Sequence, residues 1–361
     1  MSLETLFNKA WYGKNKWTQV FRPVLPLVSH LVAKKRRQFL ADTDKHKQVN
    51  VPVIVVGNIS VGGTGKSPMV LALIEALKLA GYYPGIVSRG YGVSAANPIR
   101  VTPESLANEC GDEPVMLVRR SRCPMVICQN RVDAINVLLE DKRVDLVISD
   151  DGMQHYAMAR DIELLMLDAK RGLGNGALLP VGPLREPASR VLEVDYVISL
   201  VSEKTQPDLE RKKQEIRELL LSYQGIDNAE ILDSKLIPAS VSPQSLVNLK
   251  TGEHVALEVL KGFKQCSLVA GIGNPERFLN TLLEAGLPSG YTTSWFGDHH
   301  KFSADDVAQD NPVVMTEKDA VKCKDLNLDN DNVWYLPIEV GLPAEFIESL
   351  TEKLISVSSK E

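Results

Sequence analysis

Cysteine is scarce in this chain, and its arrangement excludes two fold types. The five residues (Cys110, Cys123, Cys128, Cys266, Cys323) are odd in number and include no CxxC pair. That speaks against a disulfide frame or a zinc site and for reduced thiols in a cytosolic compartment. Positive charge is not in excess: 41 Lys and Arg stand against 46 Asp and Glu, a net charge of −5. Bulk electrostatics therefore give no reason to expect nucleic acid. The N-terminus lacks the compact apolar core and small-residue cleavage site of a secretory signal. Internal repeats and low-complexity tracts are missing too. What remains is an ordinary globular composition, 44% hydrophobic and 24% charged, over 361 residues, enough for two domains.

The most informative stretch is Val51–Pro68. An apolar β-rich run, Val51 to Val56, leads into a Gly-rich turn through Ser60, Val61, Gly62, Gly63, Thr64, Gly65, Lys66 and Ser67, and a helical pattern follows. This is the order strand, phosphate-cradling loop, helix. Glycines let successive backbone N–H groups point into one concavity, and the helix N-terminus adds positive potential there. Lys66 is placed to reach the outer phosphates of ATP, and the Ser67 hydroxyl to hold Mg²⁺. The first position of GxxxxGK[ST] is Ser60 instead of Gly, so the freedom of the loop falls to Gly62 and Gly63. Pro68 sits in the first helical turn, where a missing N–H costs little.

Beyond the loop, helical and strand patterns alternate. Met69 to Ala80 reads as a helix, Pro84 to Val87 as a strand, Val115 onward as a helix and Pro124 to Cys128 as a strand. Arg131 to Leu139 is a helix, and Asp145 to Ser149, Ile162 to Leu167 and Tyr196 to Leu200 are strands. The expected fold is α/β of P-loop NTPase type: a mostly parallel sheet with helices on both faces, plus a second, smaller α/β domain. Ligands in such sheets gather at the carboxyl ends of strands. A charged amphipathic helix, Asp208 to Leu221, closes this part. The expected division is an N-terminal segment 1–45, a P-loop core 46–228, a β linker 229–265 punctuated by Pro238 and Pro243, and a C-terminal domain 266–361.

The first forty residues stand apart. They set Lys9, Lys14, Lys16, Arg22 and the run Lys34 to Arg37 against one acid, Glu4, with Trp11, Tyr12, Trp17, Phe21 and many aliphatics between. Rings at headgroup depth and cations on anionic lipid suit an interfacial segment. The longest uncharged stretch, Pro23 to Ala33, is too short to span a bilayer and contains Pro23 and Pro26. A peripheral anchor is expected; a basic helix packed on its own domain is the alternative.

Several carboxylates and imidazoles bear on chemistry. The strand Asp145 to Ser149 delivers Asp150 and Asp151 at its end, where a P-loop enzyme needs acids to hold or orient Mg²⁺. Asp112 and Glu113 precede a proline and a helix. A carboxylate there can take a proton from an attacking hydroxyl, or simply favour a helix start. Asp298, His299 and His300 offer an acid and two imidazoles in a Gly-flanked turn, as an acid/base helper, a donor to phosphate or a plain surface turn; no HxxxH or CxxC spacing makes a metal site there. Gly271-Ile-Gly273-Asn-Pro275 lacks the third glycine of a dinucleotide fingerprint. Thr316-Glu317-Lys318-Asp319 presents a cation to ligand or caps a helix.

Taken together, these pieces resemble one family, the tetraacyldisaccharide 4′-kinases (lipid A 4′-kinases) of Gram-negative bacteria. The matching segments are Gly57 to Pro68, Ser88-Arg89-Gly90-Tyr91-Gly92, Gly111-Asp112-Glu113-Pro114, Asp150-Asp151-Gly152-Met153-Gln154-His155, Leu178 to Glu186, Gly271 to Pro275, Phe296 to His299 and Thr316 to Ala320, in order from about residue 50 to 320. Ser60 fits the family's version of the loop. The resemblance implies ATP-dependent transfer of the γ-phosphate to the 4′-hydroxyl of an acylated glucosamine disaccharide 1-phosphate, a late step of lipid A biosynthesis at the inner membrane. It implies that Asp112, paired with His299, takes the hydroxyl proton, and that Glu113, Asp150 and Asp151 join Ser67 as Mg²⁺ partners. The expected place is the cytoplasmic face of the bacterial inner membrane, held through the N-terminal segment. Two other readings compete. A P-loop NTPase switch would hold a water opposite the γ-phosphate and hydrolyse ATP equally with or without lipid. A non-catalytic membrane adaptor would fail to bind Mg-ATP.

Overall fold

The strand that opens the P-loop, Val53–Gly57 (β1), is buried along its whole length, as a run of valine and isoleucine without polar alternation predicts. It is the centre of a nine-stranded sheet in the computed structural model, which describes residues 3–13, 15–41, 49–90, 92–93, 95–202, 209–308 and 310–358. The other strands are Pro84–Ser88 (β2), Ile99–Val101 (β3), Met125–Ile127 (β4), Leu146–Asp150 (β5), Ile162–Asp168 (β6), Tyr196–Ser202 (β7), Leu236–Pro243 (β8) and Ile338–Gly341, the last in the chain. A six-stranded sheet takes Ser245–Asn248 (β9), His254–Ala256 (β10), Cys266–Ala270 (β11), Tyr291–Trp295 (β12), Val313–Thr316 (β13) and Val333–Leu336 (β14), which makes Ile338–Gly341 β15. Lys14, Tyr91, Asp208 and the 45/46 junction lie outside the described residues.

The large sheet runs β15-β8-β7-β6-β1-β5-β2-β4-β3, and only the two edge strands are antiparallel to their neighbours. Strand alternation splits the core. Ile54 and Val56 pack with the helices Lys66–Leu79, Asp112–Ser121 and Ala344–Ser358, whereas Val53 and Val55 pack with Arg131–Leu138 and Leu209–Leu221. The expected mostly parallel sheet with helices on both faces is present. The small sheet, order β10-β9-β14-β13-β11-β12, is likewise covered on both faces, by Pro275–Glu284 on one and Glu317–Cys323 on the other.

Three expectations need correction. Residues 229–265 are no linker: Ala229–Lys235 is a helix, and β8 pairs along six residues of β7 inside the large sheet. Prolines 238 and 243 suggested broken β pieces, but β15 covers β8 only from Ser240 to Pro243, so at Pro238 the strand has a neighbour on one side alone and a missing N–H is tolerated. The chain after 266 does not stay in the second domain, because β15 and the helix Ala344–Ser358 return to the large sheet. The helix expected from Val115 starts at Asp112, with Pro114 in its first turn.

Among the described residues, no helix is long and apolar enough to cross a membrane. The N-terminal segment forms Leu3–Tyr12, a 3-10 helix Trp17–Val24 and Leu25–Ala41. It is docked on the core: Trp11 donates to the Pro180 carbonyl (3.1 Å), Tyr12 to that of Val61 (2.8 Å) and buried Thr18 to that of Val181 (2.9 Å). Arg36 is committed to Glu193 at 2.6 Å. The opposite side leaves Val20, Leu27 and Leu31 at 71%, 60% and 55% exposure.

Candidate active site

Parallel register brings the candidate groups together. β5 lies beside β1 with Asp150 opposite Val56, so the acidic pair emerges next to the start of the P-loop. Ser60 is buried and bridges Leu184 in antiparallel fashion, while Val61 N–H donates to Pro183 and Arg185 N–H to Ile59. An extended residue needs no glycine, which is the physical reason a serine serves at the loop's first position. The unusual torsions fall on Gly62 (φ 120°) and Gly65 (φ 84°), and Gly65 caps the helix that begins at Lys66. Lys66 Nζ lies 3.3 Å from Asn58 Oδ1 and 3.3 Å from Asp151 Oδ1. Asn58 in turn reaches Thr64 Oγ1 at 3.3 Å, which ties the lysine to its own loop.

The two acids differ. Asp151 (φ 50°) pairs with Lys66 and, at 3.6 Å, with Arg185; burial raises its carboxyl, but these cations outweigh that and hold it below the usual range. Asp150 is almost fully buried, and its Oδ1 has no hydrogen-bond partner. Burial, then the charges of Glu113 and Asp151, push its carboxyl up to about 7. Among the described residues no three acids, histidines or cysteines are grouped closely enough to form a metal site by themselves; Glu113, Asp150, Asp151 and the Ser67 hydroxyl are all oxygen donors, the kind Mg²⁺ prefers, and the orphaned Asp150 Oδ1 marks where a cation would be most favourable.

Asp112 starts its helix at the domain boundary. His299, from the second domain, places Nδ1 3.2 Å from both Asp112 carboxylate oxygens. Burial raises the Asp112 carboxyl, but the hydrogen bond from His299 and the charges of Lys318 and Lys322 hold it at about 2. Burial lowers the His299 imidazole, and Asp112 reverses that to a net rise above its ordinary value. His300 turns elsewhere: it stacks on Phe296 (4.3 Å between centroids) and meets Asp306 at 3.2 Å. Lys318 Nζ sits 3.0 Å from Glu113 and 3.1 Å from Asp298, a bridge between domains. Its segment read equally well as a helix cap, and Thr316 does cap that helix by accepting from Asp319 N–H. Sequence alone did not separate the two uses, because the partner Glu113 is 205 positions away.

A cleft of about 1360 Å³ joins these groups, lined by the P-loop from Val61 to Ser67, by Glu113 and Asp151, and by Asp298, His299 and Lys318 of the second domain. That exceeds what one small ligand fills and leaves room for two substrates. Asp112 and Asp150 stand behind the lining.

A chain of this architecture has known relatives. The sequence pattern of the LpxK family, tetraacyldisaccharide-1-P 4′-kinase, matches residues 17–355. The chain belongs to the tetraacyldisaccharide 4′-kinase family. Members similar to it include the tetraacyldisaccharide 4′-kinases of Pseudomonas putida strain GB-1, 43% identical with 91% of each chain covered, and of Aeromonas salmonicida, 38% identical with 98% of each covered. In three dimensions it is similar to the "apo" form of LpxK from Aquifex aeolicus in complex with ATP, with TM-score 0.73 and 25% identity over 94% of this chain and 99% of that one.

Proposed function

We propose that this protein's P-loop face and its Asp112–His299 pair carry out the reaction of its family. The chain is a tetraacyldisaccharide 4′-kinase, which transfers the γ-phosphate of ATP to the 4′-hydroxyl of a tetraacyldisaccharide 1-phosphate in lipid A biosynthesis. The observation that supports the site assignment most is the hydrogen bond of His299 to Asp112, which sets a proton-accepting pair beside the P-loop cleft. Ser60 to Ser67 cradle the phosphates, and Lys66 exchanges Asp151 and Asn58 for phosphate oxygens. As the acceptor oxygen forms its bond to phosphorus, the bond from the γ-phosphorus to the β,γ-bridging oxygen breaks, ADP leaves, and the hydroxyl proton passes to the Asp112–His299 pair. Ser67, Glu113, Asp150 and Asp151 are the residues that would hold Mg²⁺, which would supply charge neutralisation at the phosphates.

The acceptor carries acyl chains, so the enzyme must meet a membrane surface. The exposed apolar side residues Val20, Leu27 and Leu31, beside Lys34, Lys35 and Arg37, support peripheral docking at the cytoplasmic face of the inner membrane. The deciding experiment follows label from γ-labelled ATP into a disaccharide 1-phosphate lipid, with mass spectrometry locating the new phosphate. Label on the 4′-oxygen is expected. Label released as inorganic phosphate, at the same rate with and without lipid, would favour the NTPase switch.

A further inference from the structure

The nucleotide cleft holds a cation that the mechanism above leaves unused. Arg277 is the third residue of the helix Pro275–Glu284 in the second domain. Phe278 and Leu282 plug that helix into the small domain's core, so Arg277 projects from a rigid support into the cleft. Its location is fixed by the P-loop. A Cβ on Gly65 would collide with Leu200 Cδ1 and stand 3.5 Å from Arg277 Nη1, so the guanidinium lies directly over the loop's last glycine.

Other arginines that are wholly or partly buried have obvious partners. Arg190 pairs with Glu163 and Glu186 at 2.8 Å, Arg160 with Glu163 at 3.0 Å, and Arg131 donates to the carbonyls of Asp150 and Asp151 at 3.2 Å. No hydrogen bond or ion pair engages the Arg277 guanidinium among the described residues, and the charges that act on it are Asp168 and Arg171. Burial weakens its hold on its proton; Asp168 opposes this and Arg171 adds to it. A partly desolvated cation without a bonded anion is costly, and here it lies over Gly65, the cap of a helix whose N-terminus attracts anions. A planar five-donor fork matches phosphate oxygens two at a time.

We propose that Arg277 is the second domain's phosphate ligand, pairing with the triphosphate of ATP across Gly65. Nucleotide binding and the seating of the second domain on the large one are then a single event. This rests on the reading that the P-loop holds ATP, and the test separates the two. Equilibrium binding of ATP, ADP and GTP to the full chain is measured by calorimetry for wild type, R277Q and R277K, at two salt concentrations. Loss of a charged bidentate contact predicts ATP and ADP dissociation constants about 10- to 100-fold weaker in R277Q, a shallower salt dependence, and an unchanged ATP-to-GTP ratio. R277K regains charge without the fork and falls between. Wild-type affinity in R277Q would overturn the proposal while leaving the P-loop reading intact, and so would a changed base preference, which would make Arg277 a reader of adenine. Wild type that binds no nucleoside triphosphate would overturn both. If R277Q does not fold, R277K decides: weakened binding supports the proposal and unaltered binding ends it.

Discussion

Asp112 poses a question of base strength. A carboxyl held at about 2 by His299, Lys318 and Lys322 is a feeble proton acceptor taken alone. Phosphoryl transfer tolerates this, because the transition state is loose and the acceptor proton becomes acidic only as its oxygen bonds to phosphorus. The imidazole of His299, raised above its ordinary value by the same contact, is the better final resting place for the proton. Asp112→Ala is therefore expected to lower kcat by about 10²- to 10⁴-fold with little change in the KM for ATP, a contribution made mainly in the transition state; steady-state assays with saturating lipid test it, and wild-type turnover would remove Asp112 from the mechanism. Lys66 differs, since it touches the donor in ground and transition states alike. Lys66→Ala should raise the ATP dissociation constant and lower kcat together, and an unaffected rate would mean that the loop is misassigned. At this scale much was legible in the chain, because loop, Asp150–Asp151 and Asp112–Glu113 are contiguous signals at strand or helix ends. Arg277 was not, since a single arginine after an Asn-Pro-Glu turn carries no local mark.

Elements carry the coupling between domains. The helix Asp112–Ser121 meets the helix Glu317–Cys323 through Lys318 with Glu113 and Arg120 with Glu317, both at 3.0 Å, and the turn at His299 closes on Asp112. The pH dependence of that closure follows from signs. His299 is raised, so its stabilising pairing is complete below the unfolded value of about 6.5 and is lost as pH rises through the higher folded value. Asp112 is lowered, so its part is present above about 3.9 and disappears only as pH falls towards 2. The groups facing His299 are Asp112, Asp298 and Lys318. Amide exchange of residues 296–300, corrected for intrinsic rates, should show greater protection at pH 6 than at pH 8.5, and Asp112→Asn should abolish the difference; an equal difference in the variant would contradict this coupling. A second element-scale expectation concerns the N-terminal helices. Replacing Val20, Leu27 and Leu31 by serine should reduce flotation with anionic vesicles while leaving ATP affinity intact, since these side chains are exposed and lie outside the P-loop cleft. Undiminished flotation would place the membrane contact elsewhere. Helix starts and the strand order were only partly readable from the chain. The helix expected from Val115 starts at Asp112, so Pro114 is a first-turn residue instead of preceding it, and β8 looked broken because sequence does not show that a proline's open side has no partner.

The whole molecule shares one buried charge network that no local pattern announces. Arg190, 1% exposed, pairs with Glu186 and Glu163 at 2.8 Å and with Glu193 at 3.2 Å. Glu193 also holds Arg36 of the N-terminal helix at 2.6 Å. Glu186 accepts from Gln154 at 2.7 Å; Gln154 also donates to the Asn58 carbonyl at 3.1 Å, and the Asn58 side chain takes Lys66. Parts of the chain from residues 36, 58, 154 and 186 to 193 thus converge on one guanidinium, which joins the N-terminal helix, the acidic loop and the P-loop. Such a network adds little net stability when complete but is costly to break: without Arg190, Glu186 is left buried without its cation and Glu163 keeps only Arg160. Arg190→Ala should destabilise the large domain by about 3–5 kcal/mol, read from urea unfolding. Changing Arg190, Glu163 and Glu186 together to apolar residues of similar volume should recover part of that loss, since Glu186 no longer carries a buried charge while Arg160 loses its partner Glu163. The triple variant would still lose the link to Gln154, and its KM for ATP should rise even where its stability returns. A triple variant with wild-type nucleotide affinity would show that the network supports the fold without positioning the loop.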